Sequence, residues 1–248
     1  MELLAQFLLR LAFGLAVGMG STSSRKVTSG FFRNHVYVTL GLSTLAALTL
    51  AKLGSPAVWL AGSAAVVSFF GAACWLYEAK RLGKRAVWLV AACGLAAAIV
   101  TQSSAISNDP HATWRAISIT TSGLVLGLVF TAMLLGHWYL NAPGMSLTPL
   151  RWLLAAAAVA VVVQAILSGV GTATAWSTQT EISSTWWLFV VLRWSFGICG
   201  VLALLWMAWR TLEIPNTQSA TGILYVAVIG VFVGELMAAL LSAESAVP

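Results

Sequence analysis

Charge is scarce in this chain. Of its 248 residues, 13 are Lys or Arg and 7 are Asp or Glu, together 8%, whereas about a quarter of a soluble domain is charged. Cysteine is nearly absent too: Cys74, Cys93 and Cys199 all lie inside apolar runs, and no C-x-x-C or Cys/His spacing occurs. That excludes a disulfide framework and a structural zinc site, so no metal is expected. No hydrophilic stretch is long enough to house a soluble active site. G-x-S-x-G, H-E-x-x-H, a Walker loop and a Gly-rich dinucleotide fingerprint are all missing, which removes the enzyme classes that rely on them. The net charge of +6 is spread around apolar segments and does not point to nucleic acid.

What is present is apolar: 60% of the residues are hydrophobic, and mean hydropathy is +0.91. About 20 such residues cross a bilayer as a helix. By that measure the chain predicts eight spans at 2–20, 35–53, 56–77, 86–102, 115–138, 151–171, 185–208 and 219–241. The expected fold is all-α, one transmembrane domain over 1–248 whose partner is the lipid bilayer. Breaks rich in Gly, Pro, Ser and Thr ("STSSRKVTSG", "GSP", "SNDPH", "NAPGMSLTP", "GTATAWSTQT", "EIPNTQ") separate the runs. The opening "MELLAQFLLRLAFGLAVGMG" begins with Glu2, lacks a positive leader and carries Arg10 in mid-run. It therefore reads as a retained first helix rather than a signal peptide.

Charge asymmetry orients the bundle. Arg25, Lys26, Arg33, Lys80, Arg81, Lys84, Arg85, Arg151 and Arg210 fall at one set of ends. The alternate loops hold Asp109, His111 and Glu181, with Lys52 and the boundary residue Arg115. The basic side is cytoplasmic by the positive-inside rule, which places both termini outside a bacterial-type inner membrane. Tryptophans agree. Trp59, Trp114, Trp176, Trp186 and Trp187 mark outer ends; Trp75, Trp88, Trp138, Trp152, Trp206 and Trp209 mark inner ends; only Trp194 is deep. The pairs Gly14/Gly18, Gly123/Gly127 and Gly230/Gly234 predict close helix packing within one bundle. Each half of the chain, 1–104 and 105–248, holds four spans, which permits a parallel repeat without residue-level similarity.

Intramembrane polar groups are the functional candidates. Arg10, Gln164, Arg193 and Glu235 come from four different spans, each roughly 9–12 Å below the outer surface at the helical rise. A carboxylate at that depth calls for a basic neighbour, so Glu235 is expected to pair with Arg193 or Arg10. The surplus positive charge suits an anionic or carbonyl-bearing ligand, and Trp194 offers a ring for stacking. The structural alternative is an ion pair that sets helix register and a tryptophan that is simply core. His35 and His137 fall at similar depth near the cytoplasmic side, as the ligands of a bis-histidine haem b would, with Arg33 beside a propionate. As belt residues, they would only mark the edge of the membrane.

Three stretches carry a family resemblance: "KLGSP" (Lys52–Pro56), "VLRWSFG" around Arg193, and "GEL" (Gly234–Leu236). With them the chain resembles the membrane-anchor subunits of dimethyl sulfoxide reductases and polysulfide-reductase-type anchors. The resemblance implies eight helices with both termini outside. It also implies menaquinol oxidation without haem, and electron delivery to iron–sulfur and molybdenum-bearing catalytic subunits on the outer face; menaquinone or ubiquinone is the cofactor that a quinone reading of the chain calls for. Arg193 and Glu235 would then handle the quinone head-group, with Arg10, Gln164, Trp194 and Lys52 as supporting contacts. The family carries a histidine just before "LGSP", associated with quinol oxidation, where this chain has Ala51 and Lys52. A small-molecule permease, a haem b electron carrier and a non-catalytic scaffold or assembly protein are the other function classes that the residues allow.

Overall fold

The computed structural model describes residues 1–103, 112–142, 144–178, 183–214 and 216–244. Asp109, His111 and Glu181 lie outside them. The described residues form eight helical rods: α1 (Glu2–Ser21), α2 (Ser29–Lys52), α3 (Val58–Leu76), α4 (Lys80–Ser103), α5 (Ala112–Asn141), α6 (Thr148–Thr178), α7 (Ser184–Thr211) and α8 (Thr217–Glu244). Seven of these are long and apolar enough to cross a membrane; α2 is not among them. Polar residues are what separate α2 from the rest, and its fold turns them inward. His35, Thr39, Ser43 and Thr49 are buried, whereas Tyr37, Leu45 and Leu48 are exposed. Thr39 lies 3.2 Å from Ser68 of α3, and Thr49 donates to the Leu45 carbonyl at 2.8 Å. Elsewhere too the outer surface is apolar, with Phe69, Phe70, Ile166 and Ile229 exposed. This is the construction of a multi-pass integral membrane protein.

Two helices run furthest past their predicted spans. The Gly/Thr-rich segment read as the break after residue 171 continues α6 as far as Thr178. Thr172 and Thr174 donate back to the carbonyls of Ser168 and Val170, at 2.7 and 3.0 Å. Such back-bonding satisfies the hydroxyls inside the helix, so they do not end it. At the other end of the molecule, α4 begins at Lys80. Lys80, Arg81, Lys84 and Arg85 therefore ride on its first turns instead of a loop.

Successive rods alternate in direction, leaving Met1, Lys52 and Ser103 at one end (the Met1 end) and Arg25, Lys80 and Arg210 at the other (the basic end). Helices α1–α4 close into one ring, with α4 packed back on α1; α5–α8 close into a second, with α8 packed back on α5. The rings meet chiefly along α1 and α5. These two helices are 72% and 67% buried over their apolar windows, against at most 39% for the other five candidate spans. The contact has no room for side chains. A Cβ on Gly14 would sit 1.8 Å from the Gly123 carbonyl oxygen, and one on Gly127 would sit 1.8 Å from the Gly14 carbonyl carbon. Gly197 and Gly234 form a second crossing, between α7 and α8, where a Cβ on either would lie 2.5 Å from the other's Cα. Both crossings lie inside the bundle, as small-residue pairs in polytopic proteins commonly do.

Candidate functional site

The two glycine crossings bracket a polar cluster. Ser122 precedes Gly123, Glu235 follows Gly234, and Arg193 lies four residues before Gly197. Close backbone approach thus brings α1, α5, α7 and α8 near enough for short side chains to meet across them. Ser122 donates its hydroxyl hydrogen to Glu235. From α1, Arg10 Nη1 donates to Ser122 Oγ at 3.3 Å. The expected direct ion pair of Glu235 with an arginine is replaced by this relay. The ion pairs between described residues include Lys80–Glu78 and Arg210–Glu213, both at the surface, and Glu235 takes part in neither. Both Arg10 and Arg193 nonetheless lie within electrostatic reach of Glu235. Two guanidinium groups against one carboxylate leave a surplus positive charge.

Glu235, Arg193 and Gln164 line one small cavity with Val125, Val161, Ile198, Gly197, Val231 and Gly234. Its volume is about 10 Å³, room for roughly one water molecule. Gln164 is 4% exposed, yet its Oε1 has no hydrogen-bond partner among the described residues. The side chain of Arg193, a residue 7% exposed, makes no hydrogen bond or ion pair to a described residue, although its backbone N–H bonds the carbonyls of Phe189 and Val190. An acceptor is therefore missing opposite Arg193 and a donor opposite Gln164. One wall is irregular. From Arg193 to Gly200, α7 follows a π-helical path, and Ser195 donates to the Val191 carbonyl at 2.6 Å. π-Helical turns are rare and concentrate at functional positions.

Of the residues singled out in the sequence, Arg10, Gln164, Arg193 and Glu235 come together here. Trp194 does not line the cavity; its ring faces Gly169 of α6, 3.7 Å from where a Cβ would be. Lys52 is exposed at the end of α2, in the other ring. Ser122, the residue that joins Arg10 to Glu235, carries no signal of its own. It stands in a run of hydroxyls, "ITTSG", and only the crossing of α1, α5 and α8 distinguishes it from Thr120 and Thr121.

The histidines occupy separate settings near the basic end. His35 is buried and donates Nδ1–H to the Phe31 carbonyl at 2.6 Å, since a carbonyl can only accept. Its ring lies 4.3 Å from Phe31 and 6.3 Å from Trp138, centroid to centroid. His137 is exposed, with Nδ1 3.3 Å from Tyr225 Oη of α8. Its two neighbours complete a fastening: Trp138 Nε1 donates to Thr28 Oγ1 at 2.9 Å, and Tyr139 Oη donates to the Ser146 carbonyl at 2.5 Å. The His-Trp-Tyr run thus ties one end of α5 to α8, to the α1–α2 connection and to its own turn. No three His, Cys, Asp or Glu side chains converge among the described residues.

Comparison with known proteins returns no family model, no curated protein and no solved structure that matches this chain.

Proposed function

We propose that this chain is the quinol-handling integral membrane subunit of an electron-transfer complex, with Arg193 and Glu235 at the head-group. In this reading all eight rods span the membrane, α2 included, because its polar residues face the ring interior and its outer face is apolar. The basic end is cytoplasmic by the positive-inside rule, and both termini are outside.

One observation carries the reading: Gln164, whose buried Oε1 lacks a partner among the described residues, and Arg193, whose side chain makes no hydrogen bond to one, share a cavity with a carboxylate. A quinol oxygen both accepts and donates a hydrogen bond, so it complements both groups at once. Glu235 is placed to take the hydroxyl proton, and Arg193 to stabilise the oxygen that loses it. The electrons pass to partner subunits that carry iron–sulfur centres, the arrangement implied by the resemblance to dimethyl sulfoxide reductase anchors. A cavity of about 10 Å³ holds only the oxygen, so the ring enters by displacing the π-helical wall of α7. The same small volume favours a second reading, a permease for a proton or small ion, with these residues as its site.

Organic extraction of the purified protein, with a reduced-minus-oxidised visible spectrum of the same sample, separates the readings. Quinone that co-purifies with the wild type and is lost from well-folded Arg193→Leu and Glu235→Gln variants supports the head-group site. Quinone retained in full by both variants refutes that site. No quinone and no haem band leaves the permease or a non-catalytic scaffold. A haem band abolished by His35→Ala or His137→Ala would make the protein a haem b carrier instead.

A further inference from the structure

The polar groups around the cavity are not symmetric along the bundle. Each residue lining it on the basic side is apolar. Val125 lies three residues from Ser122 in that direction, Val161 three from Gln164, Ile198 five from Arg193 and Val231 four from Glu235. Four helices thus contribute one branched apolar side chain each to a floor, one helical turn below the polar layer. Beneath it Val129, Leu205, Leu224 and Val228 are buried, and the unpartnered Thr131 Oγ1 of α5 packs against Gly18 of α1 and away from the floor residues.

Towards the Met1 end the opposite holds. From Glu235 the hydrogen bonds run to Ser122 and then to Arg10. One turn further along α1, on the same face, is Gln6, 7% exposed. Its Nε2 donates to the Ala98 carbonyl of α4 at 2.9 Å. One turn beyond Ala98 on α4 is Gln102. Along this line Arg10 Nε, Gln6 Oε1 and Gln102 Oε1 are buried without a hydrogen-bond partner among the described residues. Buried polar atoms in a helical bundle carry a desolvation cost unless water reaches them, and polar sites of this kind hold ordered water. Gln6 lies four residues from the start of α1, about 6 Å at the helical rise, so the line ends close to the surface.

We infer that the cavity is a half-channel: water and protons reach Glu235 from the Met1 end, along Ser122, Arg10 and Gln6, and are barred from the basic end by Val125, Val161, Ile198 and Val231. Glu235 then exchanges its proton with one face of the membrane only. The inference does not rest on the identity of the ligand, and its test involves no quinone.

The test uses the full-length protein in sealed vesicles of both orientations, with Cys74, Cys93 and Cys199 replaced by serine. Single cysteines are introduced as Gln6→Cys, Gln164→Cys and Val161→Cys. Silver ion, about the size of water, is added from one face, and thiols still free are alkylated after unfolding and counted by mass spectrometry. Silver on the Met1 side should abolish alkylation at Gln6→Cys and Gln164→Cys, and silver on the basic side should leave both alkylated. Val161→Cys, on the floor of the same cavity, should lose alkylation to silver from the Met1 side only. Thermal unfolding matching the parent establishes that each variant is folded. Protection of Gln164→Cys or Val161→Cys from the basic side overturns the proposal, as does a Gln164→Cys that silver reaches from neither face. Such a failure leaves the quinol reading standing, because head-group binding is read separately by extraction.

Discussion

Ser122 hydrogen-bonds Glu235 across the crossing of α5 and α8, and Arg10 reaches the same hydroxyl from α1. One small side chain therefore couples three helices and both halves of the molecule. Removing it leaves Glu235 and Arg10 without that partner. Ser122→Ala should destabilise the protein by about 1–3 kcal/mol, the usual cost of orphaning a buried polar group. Thermal unfolding in detergent reads this. In a double-mutant cycle, Ser122→Ala combined with Glu235→Gln should cost less than the sum of the two, because they share one interaction. Strict additivity would show that the hydrogen bond contributes nothing.

The α1–α5 seam makes a sharper demand. Gly14→Ala places a methyl 1.8 Å from the Gly123 carbonyl oxygen, where only backbone movement can relieve the clash. Overpacking of this kind costs about 1–3 kcal/mol or more, and the two four-helix rings should separate on heating at lower temperature. Gly41 and Gly62 serve as internal controls, since a Cβ there meets nothing within 4 Å. Their alanine variants should be neutral or more stable, because alanine is the better helix former by up to about 1 kcal/mol. Equal loss at all three positions would remove the seam's special status.

At the basic end, the Ser29 hydroxyl donates to Glu78 at 2.7 Å, and Lys80 lies 3.4 Å away. The Ser29 hydrogen bond first, and Lys80 second, hold the Glu78 carboxyl below its ordinary value of 4.5. A depressed carboxylate stabilises the fold above its unfolded-state value, and that contribution is lost as pH falls through the folded-state value. The stability difference between the wild type and Ser29→Ala should therefore be full at neutral pH and shrink below pH 4.5. Unfolding temperatures measured across the acid range would show it. A difference independent of pH would mean that Ser29 acts only through the helix α2 terminus.

Trp138 fastens the end of α5 to Thr28 through its indole N–H. Trp138→Phe keeps a ring against Phe31 and His35 but removes the donor. The expected loss is on the order of 1 kcal/mol, one neutral hydrogen bond, with Thr28→Ala costing about the same. Hydrogen exchange should rise in residues 22–28 and leave the Gly14–Gly127 seam protected. Loosening of the seam itself would show that the fastening carries more than its own turn.

The architecture was legible in the sequence for a physical reason. A bilayer forces each span to be apolar over about 20 residues and leaves charge only at the ends or in costly interior positions. Hydropathy alone thus located the helices, and the rarity of strongly polar groups within the spans singled out Arg10, Gln164, Arg193 and Glu235. The glycine pairs were readable on the same grounds. Tertiary structure decided everything that depends on which faces meet. It assigned α1 and α5 to the seam between two rings. It carried α6 through a threonine-rich segment, because hydroxyls can bond back within their own helix. It put Trp194 against α6 and Lys52 in the other ring, away from the cavity, and recruited Ser122, one hydroxyl among several, as the link to Glu235. Helical period and span length are local properties of the chain; the azimuth of each helix and the path of the π-helical turn at Arg193 depend on packing against other helices, as Gly197 packs on Gly234.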